Sequence, residues 1–248
     1  SAAQLQVTVW NRNPAKAKLF EPGTVQVADT LVEAVSASDI VVVCIRDYEA
    51  TAELFQDAAV ENQLAGKIFA QLSTGTPAKA RVAAEWAKSI GATYLDGEIM
   101  CFPDAVGTDS CAILYSGDRD GFETCDAMVR ALGGTAQMLG TDPGMAAALS
   151  NAVLPIYFSY TFGVLNGAAI CDAENVPLPL FQQLTESLMP VFGGVLERAV
   201  QMISADNYAS EHSTLETSAG ALAQVVAVGN DASLDGRFVA CMQTYAAE

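Results

Sequence analysis

Apolar positions along this chain follow two regimes. As far as Leu139, short apolar or alternating runs suited to strands interleave with helix-length stretches; beyond it the strand pattern stops. Val7 and Val9 alternate with polar neighbours, and Val25-Gln26-Val27 repeats that pattern. Ile40-Val41-Val42-Val43-Cys44-Ile45 is continuously apolar, as expected of a parallel strand covered on both faces. Segments 68–72, 92–96 and 111–116 complete the predicted strands. Between them the spacing predicts helices over 30–35, 50–59, 76–90 and 122–132. Thr76 and Pro77 supply a cap and a first helical position, and Gly133-Gly134 closes the last helix. Strands interleaved with helices in this way predict an α/β fold, a Rossmann-type doubly wound parallel sheet.

The change of regime falls at Thr141-Asp142-Pro143-Gly144, which predicts a boundary between residues 1–142 and an all-helical part over 143–248. Asp142 is placed to cap a long interdomain helix, with Pro143 at its first position. From Gly144 to Cys171 no residue is charged, a length sufficient to span a bilayer. Ser150, Asn151, Pro155, Ser159, Tyr160, Thr161 and Asn166 interrupt it, however, and basic flanks are lacking. A helix apolar on every face also suits burial in a large soluble assembly, so an intertwined, domain-swapped homodimer is expected and a membrane is not.

The chain has 12 Lys+Arg against 29 Asp+Glu, a net charge of −17. An acidic surface disfavours nucleic acid and anionic membranes as partners. Cys44, Cys101, Cys111, Cys125, Cys171 and Cys241 show no CxxC or Cys/His spacing, so reduced core thiols in a cytoplasmic protein are expected. With His212 the only histidine, no histidine-based metal site or Ser-His-Asp triad is expected. No secretory pattern occupies the opening residues.

Against that acidic background, Asn11-Arg12-Asn13-Pro14-Ala15-Lys16 follows the first strand as a basic turn, with no carboxylate until Glu21. In a dinucleotide-binding βαβ unit, an acidic residue at this place accepts from the ribose hydroxyl of NAD, whereas Arg accommodates the extra phosphate of NADP. A guanidinium matches phosphate oxygens with a planar set of donors, and Lys16 adds a point charge. An exposed turn that is merely basic is the alternative. The glycine-rich turn that cradles a pyrophosphate is not found, and Ser1-Ala2-Ala3 reads as the tail of the helix that would follow it. The expectation is a preceding βα segment of about 30 residues, the alternative a degenerate relative unable to hold a cofactor.

Four motifs stand in order: Val7-Thr8-Val9-Trp10-Asn11-Arg12, Ser73-Thr74-Gly75-Thr76-Pro77, Gly97-Glu98-Ile99-Met100-Cys101-Phe102-Pro103 and Leu139-Gly140-Thr141-Asp142-Pro143-Gly144. Together they resemble the NADPH-dependent imine reductases and reductive aminases, relatives of the 3-hydroxyisobutyrate dehydrogenases. The hydroxyacid dehydrogenases of that superfamily use a lysine in a Gly-x-x-x-Lys-x-x-Asn pattern. Here the pattern runs from Gly144 to Asn151 with Ala148 at the lysine position, and Glu98-Ile99-Met100 replaces the substrate-carboxylate turn. Alanine cannot transfer a proton, so hydroxyacid oxidation is disfavoured.

The resemblance implies further roles. Imine reductases usually place Asp or Tyr where this chain has Ser150, whose hydroxyl can orient a nitrogen but is a poor acid. Tyr157, seven residues on along one helix face, is the better proton donor. The alternatives are ordinary packing for Tyr157, Phe158 and Tyr160, and local backbone bonding for Ser150 and Asn151. Thr74, Ile99 and Met100 are expected near the nicotinamide, with Cys44, Ile45 and Arg46 at the same sheet edge. Arg46 has two open partners, a cofactor phosphate or Asp47. Asn151, Phe158 and Thr217 are candidate substrate contacts, with Thr214 and Ser218 facing the cleft across the dimer, while His212 reads as a loop residue.

The expected protein is thus an NADPH-dependent reductase of imines or iminium ions, acting on a small-molecule imine or a ketone and amine pair. Candidate catalytic residues are Ser150, Tyr157 and Thr74; candidate cofactor residues are Asn11, Arg12, Asn13, Lys16, Cys44, Ile45, Arg46, Thr74, Ile99 and Met100; no metal is expected. A carbonyl or hydroxyacid reductase of the same superfamily and a decayed dimeric scaffold are the rivals.

Overall fold

A computed structural model describes residues 5–20, 25–209 and 214–247; Glu21 and His212 lie outside these residues. The chain divides into two compact units, Ser1–Pro155 and Ile156–Glu248.

In the first unit, β1 (Thr8–Val9) and β2 (Gln26–Val27) form a parallel pair, with the short helix α1 (Pro14–Ala17) between them. Five further strands, β3 (Ile40–Val43), β4 (Ile68–Gln71), β5 (Thr93–Ile99), β6 (Ala112–Gly117) and β7 (Thr135–Met138), lie side by side in chain order. Helices α2 (Leu31–Ser36), α3 (Tyr48–Phe55), α4 (Ala58–Glu61), α5 (Pro77–Ser89), α6 (Arg119–Thr124) and α7 (Asp126–Leu132) fill the connections.

The sheet is mixed rather than wholly parallel. β5 and β6 pair antiparallel, with Ile99 opposite Ile113. Residues 100–111 between these strands hold only a single 3-10 turn, Pro103–Ala105, and no α-helix of the kind that usually carries a parallel crossover. β7 is an additional strand that the apolar pattern does not predict: its Thr135, Ala136, Gln137 and Met138 alternate only weakly, and it pairs parallel with β6. Two of the expected helices are each broken in two. Gln56 ends α3 and Asp57 caps α4 by accepting from the Ala59 amide, while Cys125 separates α6 from α7. Thr76 caps α5, accepting from the Lys79 amide at 3.3 Å, with Pro77 at the first helical position.

Alternation along the strands builds two cores. Phe69 and Tyr94 point into a cluster with Val35, Phe55, Val60, Leu64 and Ala87. Their neighbours Ala70 and Leu95 point the other way, onto Cys111, Ile113, Tyr115, Cys125, Met128 and Val129. Full burial of each large apolar side chain contributes about 1.5–3 kcal/mol.

The long helix α8 (Met145–Ala173) begins inside the first unit. Asp142 does not cap it directly. Its carboxylate accepts from the Gly144 amide and holds Arg81 in an ion pair, while Ser116 of β6 accepts from the Ala146 amide and donates to the Pro143 carbonyl. The expected boundary at 142/143 therefore marks the end of the strands, whereas the compact unit runs on to Pro155: Ala146, Ala147 and Ser150 are buried against the sheet.

The second unit holds the remainder of α8 with α9 (Leu178–Ser204), α10 (Leu215–Asp231) and α11 (Arg237–Ala247). Asn175 adopts a left-handed conformation, letting the Val176 amide return to the Cys171 carbonyl and end α8. Phe181 of α9 sits over Gly167 of α8, where a β-carbon would come within 2.8 Å of its ring. No residue of α9 is buried. Its Leu184, Leu188, Val191, Phe192, Val195 and Leu196 are exposed at helical spacing, as are Ile156, Phe158, Phe162 and Leu165 of α8.

Candidate active site

The end of β1 shapes the basic turn. The Asn13 side-chain oxygen accepts from the Ala15 amide and caps α1, and that of Asn11 accepts from the Asn13 amide. Both side chains keep their amide donors for other partners. Arg12 and Lys16 are exposed and paired with no carboxylate among the described residues, whereas Arg46, Lys79, Arg81, Arg130 and Arg237 each are. In a chain of net charge −17, two unpaired cations one turn apart make a place for an anion.

Asn11, Arg12 and Lys16 share a cleft of about 780 Å³ with Cys44, Ile45 and Arg46. Six of the residues expected to hold the cofactor thus meet at one opening, between β1 and the end of β3; Asn13 is one residue from its rim. Arg46 is occupied on the protein's own surface, its Nε donating to Asp47 at 2.6 Å.

The far end of the site is tied to β3 and β4 together. The Ile45 amide donates to the hydroxyl of buried Ser73 at 3.0 Å, and the next residue, Thr74, is exposed at the same sheet edge. Gly75 follows because no side chain fits there: a β-carbon would run into the ring of Tyr48. Ile99 and Met100, half-buried, end β5 beside this turn's strand. Asn151 of α8 donates to the carbonyls of Gly75 at 2.8 Å and Ala147 at 2.7 Å, locking helix to turn.

Beneath the turn lies a pair of acids. Tyr94, Asp96 and Glu98 share one face of β5, because every second residue of a strand does. Asp96 is wholly buried, and its Oδ1 accepts from the hydroxyls of Tyr48 and Tyr94. Glu98 is 2 % exposed, and its Oε2 accepts from the Ser150 hydroxyl at 3.3 Å. Among the described residues Asp96 Oδ2 and Glu98 Oε1 have no partner in good hydrogen-bonding geometry, although the amides of Ala147 and Gly75 face the two carboxyls. Burial pushes Asp96 up to about 6, partly offset by the two tyrosines and the Ala147 amide. Glu98 is pushed up to about 7 by burial and then by the charge of Asp96, against the lowering effect of the Gly75 amide and Ser150.

Ser150 therefore meets an internal carboxyl rather than open space. The sequence hinted at this pair, since two acids spaced by two in an otherwise apolar strand must face the same way. Its meaning was missed because Glu98 reads at first as a replaced turn residue.

Other candidates lie in the second unit. Tyr157 and Phe158 are partly exposed with ring centroids 5.3 Å apart, and Phe158 also stacks on Phe162. Thr217 opens α10: its amide donates to Thr214 Oγ1, and the two hydroxyls lie 3.1 Å apart. The Ser218 hydroxyl donates to the Thr214 carbonyl. No group of three or more possible metal ligands occurs among the described residues.

Residues 1–140 match the family model for the NAD binding domain of 6-phosphogluconate dehydrogenase. Residues 142–248 match that for the C-terminal domain of NADPH-dependent reductive aminase-like proteins. An NADPH-dependent reductive aminase of Aspergillus oryzae is 29 % identical over 240 residues, covering 94 % of this chain and 80 % of its own. The fold superposes on the structure of an imine reductase from Myxococcus stipitatus in complex with NADP+, with TM-score 0.91 and 33 % identity over 97 % of this chain and 84 % of that one. A reductive aminase from Aspergillus terreus in complex with NADPH and ethyl levulinate gives 0.89 and 27 %, with the same coverage. With two matched family models in tandem and a 33 % identical imine reductase aligned over nearly the whole of this chain, the chain belongs to the family of NADPH-dependent imine reductases and reductive aminases.

Proposed function

We propose that this protein transfers hydride from NADPH to the C=N bond of an imine or iminium ion, giving an amine. The observation that carries this is the cleft rimmed by Arg12 and Lys16, which pair with no carboxylate among the described residues, running to the strand ends at Cys44–Arg46. Arg12 grips the cofactor's 2′-phosphate with its planar donors, Lys16 adds charge, and the free amide groups of Asn11 and Asn13 donate beside them. The Ile45–Ser73 bond holds the sheet edge so that Thr74, Ile99 and Met100 flank the nicotinamide. Bound NADPH supplies the hydride. A preformed iminium needs little from the protein beyond orientation and exclusion of water, while a neutral imine needs a proton at nitrogen as well.

Residues 1–142 form the NADP-binding part and 143–248 the part that binds substrate and pairs two copies. Ser150 is the hydroxyl on the imine side and Asn151 fixes its helix; Tyr157, Phe158 and Thr217 line the substrate region. The assembly is an intertwined homodimer. The apolar faces of α8 and α9 are largely uncovered among the described residues of one chain, and a second copy supplies the cover. α8 is long and apolar enough to cross a membrane by length and composition; Ser150 and Asn151 are bonded to the sheet unit, which favours protein rather than lipid around it. The free thiols fit a cytoplasmic setting.

The test is NADPH binding by the full natural chain, followed by NADPH oxidation with a small cyclic imine. Tight binding with imine turnover is expected. Binding with turnover of ketones alone would move the substrate to carbonyls, and failure to bind would leave a dimeric scaffold.

A further inference from the structure

Glu98 is the group whose placement the hydride chemistry leaves unexplained. It is a carboxyl almost wholly shielded from solvent; among the described residues its Oε1 has no partner in hydrogen-bonding geometry, and only the Gly75 amide faces the group from the backbone. Such burial of a polar atom costs free energy and persists where the surroundings impose it. Its other oxygen holds the hydroxyl of Ser150. Ser150 is one residue from Asn151, which is bonded to the Gly75 carbonyl beside exposed Thr74. Ser150 is itself only 2 % exposed, so the Glu98–Ser150 pair lies just behind the sheet edge at which the proposed reaction takes place, and a substrate nitrogen must seat directly against the serine to reach it.

We propose that Glu98 is the positioning acid of this enzyme, holding the proton that the imine nitrogen receives through the hydroxyl of Ser150. This rests on the imine-reduction reading above. The direction of the Glu98–Ser150 bond explains how it works. When Glu98 is ionised, Ser150 must donate its only hydrogen inward to Oε2. When Glu98 is protonated, the carboxyl donates to Ser150 Oγ and the serine hydrogen is freed to turn outward. As hydride adds to the imine carbon, the C=N π pair moves to nitrogen and takes the Ser150 proton. The Glu98 O–H bond breaks to restore the serine hydroxyl. Glu98 is left as carboxylate and regains a proton from water before the next turnover.

The surroundings hold that proton near neutral pH. Asp96 on the same strand repels a second negative charge, and burial disfavours any charge. Tyr48 of α3 and Tyr94 of β5 address Asp96, while the amides of Gly75 and Ala147 face Glu98 and Asp96 respectively. No lysine or arginine is among the groups that shift either carboxyl.

The experiment compares a cyclic imine with its N-methylated iminium salt, which accepts hydride without a proton. The unaltered full chain and Glu98→Gln are assayed with NADPH from pH 5 to 9, and NADPH binding is measured separately. Glutamine keeps the size and the link to Ser150 but cannot titrate. For the imine, kcat/KM of the unaltered chain should fall about tenfold per pH unit above neutrality. Glu98→Gln should lose about a hundredfold and that pH dependence, while losing far less with the iminium. Ser150→Ala should show the same selectivity between substrates. In the unaltered chain without cofactor, carbon-13 NMR should find the Glu98 carboxyl titrating near neutral pH, and higher in Ser150→Ala. Equal losses on both substrates, or a Glu98 carboxyl that titrates as an ordinary exposed one, would overturn the assignment. Turnover of neither substrate by an unaltered chain that binds NADPH would overturn the imine reading itself, and this assignment with it.

Discussion

The two units of this chain treat apolar residues in opposite ways. The first turns them inward: Phe69, Leu95 and Tyr115 are fully buried, and the notable buried groups are polar ones, Asp96, Glu98 and Ser150. The second turns them outward: Leu184, Phe192 and Leu196 of α9 are exposed in a single chain, and no residue of α9 is fully buried. One unit has its own buried core; the other leaves its longest apolar face exposed, the face that the proposed homodimer would cover. The contrast separates two kinds of dependence: the buried pair Glu98–Ser150 is held within one unit, whereas any role of the exposed helices depends on the proposed association.

The largest effect expected comes from breaking this contrast in the second unit. Leu184→Asp should dissociate the homodimer and lower the melting temperature by the equivalent of more than about 3 kcal/mol, read by light scattering and calorimetry. The matching change in the first unit, Val82→Asp on the outer face of α5, should stay within about 0.5 kcal/mol; Val82 is also strongly exposed. If both variants behave alike, the outward apolar face of α9 is ordinary surface.

Next in size is Arg12→Glu, which should weaken NADPH by about tenfold to a hundredfold while NADH affinity changes little. Equal effects on both cofactors would remove the phosphate assignment.

Smaller again is the pH dependence of stability. The folded-state values of Asp96 and Glu98 lie above their ordinary ones, so these groups favour the fold at low pH, and that contribution is lost as pH rises from about 4 through 7. Glu98→Gln removes one of the two and should be more stable than the unaltered chain at pH 8, by roughly 2 kcal/mol. The gain should vanish near pH 4, as urea denaturation at both values would show. The smallest expected effect is that of Ser116→Ala, which should cost about 1 kcal/mol through the lost cap on α8.

Local chemistry was legible where the partners are neighbours in sequence. Thr76 and Pro77 announce α5 because cap and helix are adjacent, and the apolar run from Ile40 to Val43 is a strand as read, although the expected cover on both faces is not there: Val42 is exposed and only Val43 is buried. Legibility failed where the partner comes from elsewhere. The cap of α8 comes from Ser116, 30 residues before the amide it accepts from. β7 exists because β6 offers an edge, not because its own pattern insists. At the site, the basic turn was readable from residue type against a contrasting charge background. The Glu98–Ser150 contact was not, since 52 residues separate the two.

The extension of the first compact unit to Pro155, past the loop near Asp142 where the two family models meet, has a bearing on recombination. Proline breaks the hydrogen-bond ladder of α8, lacking the amide that would reach the Asn151 carbonyl. The helical turns before it carry every bond that α8 makes to Ser116, Gly75 and Glu98. A chimera joined at residue 142 would give these partners a foreign helix start, whereas one joined after Pro155 inherits the acid and its serine from a single parent. Crossovers at the proline should therefore yield a larger fraction of active hybrids.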